Sequence, residues 1–364
     1  MHVADFDFDL PSDLIAQMPP GERGTSRLLV LDRGADTIAH TTISDLPTWL
    51  HRGDLLVVNN TRVFPARLVG WREPGGGAVE CLLLRRIDTP GSGSGQTLRQ
   101  GSGQAEHWEA LVHPGQKLKP GARLRFGVPP VLFGEILEQK YYGRRVVRLW
   151  TDDASSHVME LIERMGHVPL PPYIRRPDNP SDRERYQTVY ARVAGSIAAP
   201  TAGLHFTDSL LDSLHGNGIE RAEITLHVGY GTFKPVRSEL VYDHVVDPEP
   251  YVIGTDAAIT INRALEQRRR IVAVGTTTTR ALESAAGPAG GRVEPGARIA
   301  EMFIYPGFEF RVAKALLTNF HLPRSSLLML VSAFAGRERV LNAYREAIAR
   351  RYRFYSYGDA MLIL

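Results

Sequence analysis

The chain has 364 residues, 43% of them hydrophobic and 23% charged, with a formal net charge of +3. That length exceeds one usual domain, and the composition excludes a disordered, fibrous or collagen-like chain. A single cysteine, Cys81 in the apolar run 79–84, excludes an internal disulfide and any multi-cysteine zinc or iron–sulfur site, and reads as core packing.

The first ten residues carry Asp5, Asp7 and Asp9 but no Lys or Arg, unlike a secretory signal. The longest strongly apolar stretch, 327–335, falls far short of the roughly 20 residues that a bilayer crossing needs. A cytoplasmic protein away from the membrane is expected. The cations are overwhelmingly Arg, which suits phosphate and base contacts, although an Arg-rich genome gives the same bias.

Segments 27–32, 36–42 and 54–59 read as strands and open an α/β pattern. From 66 to 150 the pattern turns all-β, with strand runs at 66–71, 78–85, 108–112, 122–126, 131–138 and 144–149, the spacing of a small barrel. The Gly/Ser-rich stretch 89–105 between two of these runs reads as a mobile loop, because it has too little apolar surface to offset its ordering entropy. Helices return at 155–165, 208–215, 256–269, 325–335 and 338–350, interleaved with strands at 219–228 and 271–275. The expected architecture is therefore an α/β domain, 1–65 plus 151–364, interrupted by an inserted all-β barrel, 66–150.

Several chemistries are absent. Gly229-Tyr230-Gly231 lacks the third glycine of a dinucleotide fingerprint, and Gly275 leads into threonines without the lysine of a phosphate loop. His107-Trp108-Glu109 has half of a zinc deaminase motif, but one cysteine cannot supply the other half. No H-E-x-x-H occurs either, and no metal site is expected.

Four polar segments between glycines and prolines could carry chemistry. In 198–207, small residues allow close backbone approach, and His205 precedes a helix N-cap at Thr207; His205 reads as a general base or as a packed or capping histidine. In 227–235, glycines flank Tyr230, whose ring could lie on a planar ligand or simply half-bury in a turn. In 271–280, a strand runs through a tight loop into a helix start, where free N–H groups, Thr276, Thr277, Thr278 and Arg280 could hold a carboxylate or phosphate; ordinary N-capping by a single threonine would account for one hydroxyl of the run. In 317–326, Asn319 and His321 precede a proline-led helix, His321 with the same two readings as His205. A C-terminal cluster, 350–359, alternates cations with rings, as nucleic-acid sites and buried cores both do.

Asn59-Asn60-Thr61-Arg62-Val63-Phe64-Pro65-Ala66-Arg67-Leu68, Pro171-Pro172-Tyr173-Ile174-Arg175-Arg176 and Tyr186-Gln187-Thr188-Val189-Tyr190 join these segments and 352–361 in one order. Over nearly its whole length the chain thereby resembles the S-adenosylmethionine:tRNA ribosyltransferase-isomerases of queuosine biosynthesis. The resemblance implies an α/β domain interrupted by a small barrel. It implies as substrates tRNA bearing 7-aminomethyl-7-deazaguanine at the wobble position and S-adenosylmethionine, which is consumed and is not a resident cofactor. The implied products are epoxyqueuosine-tRNA, adenine and methionine.

On that footing His205 and His321 are expected as acid or base, Tyr230 under adenine, and Thr276, Thr277, Thr278, Arg280 and Asn319 around the rest of S-adenosylmethionine. Arg324, Arg353 and Tyr357 are expected on RNA, and the enzyme is expected to act as a monomer. An S-adenosylmethionine-dependent RNA methyltransferase is the competing enzyme reading, disfavoured by the missing glycine-rich loop. A non-catalytic RNA-binding barrel protein is the competing reading outside enzymes.

Overall fold

The computed structural model describes residues 1–87, 105–129, 131–287 and 291–364. The expected loop 89–105 lies, but for Ala105, outside the described residues. Two compact units emerge: Met1–Arg62 with Pro171–Pro177 and Glu184–Leu364, and Val63–Leu170 with Asp178–Arg183.

The strands are β1 (Arg27–Asp32), β2 (Thr37–Thr42), β3 (Leu55–Asn59), β4 (Thr61–Val63), β5 (Arg67–Glu73), β6 (Ala78–Ile87), β7 (Glu106–His113), β8 (Arg123–Phe126) and β9 (Leu132–Gln139). They continue as β10 (Arg144–Trp150), β11 (Val193–Ser196), β12 (Glu220–Leu226), β13 (Glu249–Ile253), β14 (Ile271–Val274), β15 (Gly296–Ala300), β16 (Ala315–Asn319) and β17 (Ala360–Ile363). The helices are α1 (Leu46–Trp49), α2 (Val158–Met165), α3 (Asp182–Arg185), α4 (Asp208–Gly216), α5 (Thr255–Glu266), α6 (Thr276–Ala285), α7 (Ser326–Ala335) and α8 (Arg337–Ala349).

The first unit is built on a nine-stranded sheet in the order β15-β13-β12-β3-β14-β16-β17-β1-β2. Its centre is parallel: β3 pairs in parallel with β12 and β14, and β14 with β16. Such strands are covered on both faces, which is why β3 and β14 read as unbroken apolar runs. Their period-2 alternation divides the core. Leu55, Val57, Ile271 and Ala273 pack with α5 to α8 on one face, and Leu56, Val58, Val272 and Val274 pack with Leu210 and Leu214 of α4 on the other.

The second unit closes six antiparallel strands into a barrel, β10-β7-β6-β5-β8-β9. Gly70 shows how tightly it closes, since a Cβ there would sit 2.2 Å from the Arg125 carbonyl oxygen and 2.6 Å from the Phe126 ring. Cys81 is fully buried, and burial pushes its thiol up to about 12, so it is the packing residue expected. This unit runs past the expected limit of 150, because α2 packs on the barrel through Met165, whose side chain would meet a Cβ on Gly127 at 2.9 Å. No helix among the described residues is long and apolar enough to cross a membrane.

Candidate functional site

A cleft enclosing about 850 Å³ of empty space, its mouth included, lies within the first unit. It is lined by residues just past β12 (Val228, Thr232, Lys234), past β14 (Gly275, Thr276, Thr277) and at the end of β16 and beyond (Thr318 to Ser325). Those are the carboxyl ends of three parallel strands, where open α/β sheets leave room for ligands. Ala198 to Ala202 and Tyr173 with Tyr355 complete the wall. A largely apolar lining with a few convergent polar groups suits a small-molecule ligand.

The sequence builds this end of the sheet with asparagines. Asn59 Nδ2 donates to Leu226 O at 2.9 Å, while its Oδ1 accepts from Leu226 N and Thr61 N, so one side chain ties the end of β3 to β12. Asn60 Oδ1 accepts from Thr225 Oγ1 at 2.6 Å. Gly231, in the turn after β12, lies so close to Asp247 that a Cβ would approach its side chain to 2.7 Å.

At the start of α6, Gly275 takes φ 91° and opens the helix toward the cleft, with Thr276 and Thr277 in its wall. The first turn leaves N–H groups without intrahelical acceptors and carries the positive end of the helix dipole. Thr278 does not join them. Its hydroxyl donates to Val274 O at 2.6 Å, the carbonyl four residues back at the end of β14, and so turns away from a ligand.

Arg280 is a second correction. Its guanidinium is buried, donating to Glu249 Oε2 at 2.7 Å, to Ala300 O at 3.1 Å and to Met302 O at 3.2 Å, and it lines a neighbouring hollow instead of the cleft. Desolvation lifts the Glu249 carboxyl above the ordinary range despite Arg280, so burial outweighs the pair's attraction.

His321 lines the cleft, with Nε2 at 2.9 Å from Thr318 Oγ1 and its backbone N–H donating to the Tyr344 hydroxyl at 3.0 Å. Burial lowers its pKa to about 3. His205 is not in the wall. Its Nδ1 lies 2.9 Å from Ser26 Oγ, its Nε2 3.2 Å from Asn319 Nδ2, and burial lowers it to about 4. Both imidazoles are therefore neutral at pH 7. Asn319 does line the cleft, its Nδ2 also donating to Tyr355 O at 3.0 Å while its buried Oδ1 has no partner among the described residues.

Tyr230 is half-buried and stands outside the lining residues. Stacked rings belong to Tyr173 and Tyr355 instead, with centroids 4.3 Å apart and planes at 21°. Arg324 is exposed at the rim, paired with Asp7. Arg353 is half-exposed, with Asp359 Oδ1 at 3.7 Å. Tyr357 cannot meet RNA as expected: it is 3% exposed and packs edge-on against Tyr186. In the C-terminal cluster Tyr352, Phe354, Tyr355 and Tyr357 are all core, the alternative reading of those alternating rings.

A family model described as queuosine biosynthesis protein matches residues 3–363. The chain belongs to that family. Among queuosine biosynthesis relatives, proteins named S-adenosylmethionine:tRNA ribosyltransferase-isomerase from Symbiobacterium thermophilum and Desulfitobacterium hafniense are 49% and 48% identical over the whole of both chains. A crystal structure of S-adenosylmethionine tRNA ribosyltransferase from Thermotoga maritima matches with a TM-score of 0.53 and 36% identity, covering 99% of this chain and 100% of that one.

Tyr173, Lys234 and Tyr355 line the cleft although the sequence did not mark them as site residues. Tyr173 lies in the segment 171–176, Lys234 in 227–235 and Tyr355 in the C-terminal cluster, but nothing local marks the two tyrosines as partners across 182 positions.

Proposed function

We propose that the chain is an S-adenosylmethionine:tRNA ribosyltransferase-isomerase that acts in the cytoplasm as a monomer. It moves the ribosyl part of S-adenosylmethionine onto 7-aminomethyl-7-deazaguanine at the wobble position of tRNA, giving epoxyqueuosine-tRNA, adenine and methionine, with S-adenosylmethionine consumed as a substrate. The observation that carries this reading is identity near 48% to proteins of that name over the full length of both chains.

The cleft supports it residue by residue. The start of α6, with Thr276 and Thr277, offers N–H and hydroxyl donors to the methionine carboxylate. Tyr173 and Tyr355 offer an aromatic wall to adenine, in place of Tyr230. The sulfonium acidifies the neighbouring C5′ protons, and we assign one of them to His321: with its Nε2–H donated to Thr318 Oγ1, the neutral ring keeps Nδ1 as the acceptor. His205 acts through Asn319, accepting from its amide and fixing which way its carbonyl oxygen points. Arg324 and Arg353 remain the RNA contacts we assign near the cleft.

The test is mass spectrometry of a reaction holding the purified protein, S-adenosylmethionine and tRNA bearing 7-aminomethyl-7-deazaguanine. Adenine, methionine and an epoxide-bearing base are expected. S-adenosylhomocysteine with a methylated base would overturn the reading in favour of a methyltransferase.

A further inference from the structure

The outer face of the barrel carries an arrangement that the cleft does not use. Trp71 on β5 lies opposite Arg125 on β8, Arg125 opposite Phe133 on β9, and Phe133 opposite Trp150 on β10. Residues directly opposite in antiparallel strands share a face of the sheet. Their chain neighbours Gly70, Leu124, Phe126, Leu132, Gly134 and Leu149 are buried, so this row points outward.

Trp71 is 46% exposed and Arg125 is exposed. Phe133 and Trp150 are half-exposed and stack on each other, with centroids 5.8 Å apart and planes at 24°. The Arg148 guanidinium lies 5.2 Å from the centre of the Trp150 ring. Neither Arg125 nor Arg148 has a carboxylate partner among the described residues. Three rings and two guanidinium groups thus meet solvent along four adjacent strands.

We infer that this face binds unstacked nucleotides of the tRNA, a contact separate from the cleft; the inference rests on the tRNA-modifying reading above. The chemistry selects that occupant. Exposed rings offer π-faces on which bases stack whatever their sequence, and guanidinium planes beside them take either a base or a phosphate. An acidic peptide would use the cations and leave the rings wet. In a neighbouring row across the same strands, Glu73 lies opposite Arg123, Arg123 opposite Glu135 and Glu135 opposite Arg148, so two carboxylates sit beside the rings. That favours stacking over a purely electrostatic grip.

The experiment is tRNA binding by the full chain across a salt series, wild type against Trp71→Ala, Arg125→Glu and the pair Arg125→Ala/Arg148→Ala. Turnover is measured in parallel. Trp71→Ala is expected to weaken binding about five- to 100-fold, and the arginine pair to flatten the salt slope by about one to two. KM for S-adenosylmethionine should stay unchanged. Arg125→Glu, a fully surface change, keeps the test decisive if Trp71→Ala misfolds. Folded variants with wild-type affinity and slope overturn the inference while leaving the proposed reaction standing. A wild-type protein that binds no tRNA overturns both.

Discussion

Removing the Arg280 side chain separates a structural arginine from a ligand-binding one. In the Arg280→Met variant Glu249, 2% exposed, loses its 2.7 Å partner and keeps, among the described residues, the Gly229 N–H at 2.9 Å and the Thr232 hydroxyl at 3.2 Å. Two carbonyls, Ala300 and Met302, lose their donors as well. Breaking one side of a buried pair costs about 3–5 kcal/mol, because the remaining charge stays desolvated. For a unit of this size each kcal/mol lowers Tm by roughly 2–4 °C, so the unfolding of the first unit should fall by about 6–20 °C. Differential scanning calorimetry reads this directly. Adding Glu249→Leu should restore part of the loss, since an apolar pair removes the stranded carboxyl. KM for S-adenosylmethionine should move less than stability does, as Arg280 is outside the cleft wall. An unchanged Tm with a KM raised tenfold or more would refute the structural reading and return Arg280 to the ligand.

Two further outcomes rest on the buried histidines. His205 and His321 are held at about 4 and about 3, against about 6.5 in the unfolded chain, so between those values the unfolded chain binds more protons and stability rises with pH. Falling from pH 7 to pH 5 should cost about 2 kcal/mol for each imidazole, seen as a shifted urea midpoint; a midpoint flat over that range would mean both rings are solvated. His205→Gln keeps an acceptor for Asn319 and should retain turnover within about tenfold, whereas His205→Leu should lose more; if both fell 100-fold or more, His205 would be acting as the base itself.

The parallel strands β3, β12 and β14 and the barrel were legible because burial on both faces, or on one, writes continuous or alternating apolar runs into the chain. Four strands of the first sheet were not. β13 contains Pro250, which argues against a strand, and β15 is exposed at four of five positions at the sheet edge. β16 overlaps the polar segment 317–326 and β17 directly follows the polar segment 350–359, so the composition around them masks their short apolar runs. At the start of α4, Thr207 was readable as an N-cap because capping is local, and its Oγ1 accepts from Leu210 N at 3.1 Å. Arg280 was not, since Glu249 lies 31 positions away and a lone arginine beside a helix start resembles an anion-binding donor.

The same distance effect explains why the polar segments act together. Tyr355 takes φ 71°, a left-handed conformation that costs a tyrosine energy and persists only where its surroundings hold it. Here its N–H donates to Phe320 O at 3.1 Å and its carbonyl accepts from Asn319, whose amide is held in turn by His205. Arg324, at φ 55°, is the other strained residue in the cleft wall, and its N–H donates to Phe6 O at 3.0 Å. The segments around 205, 319 and 355 therefore form one hydrogen-bonded unit. A substitution that breaks this chain of bonds should disturb the aromatic wall at Tyr355 as well as the carbonyl of Asn319, so a loss of turnover in His205→Leu alone does not identify His205 as the base; an equal loss in His205→Gln, which keeps the acceptor, does.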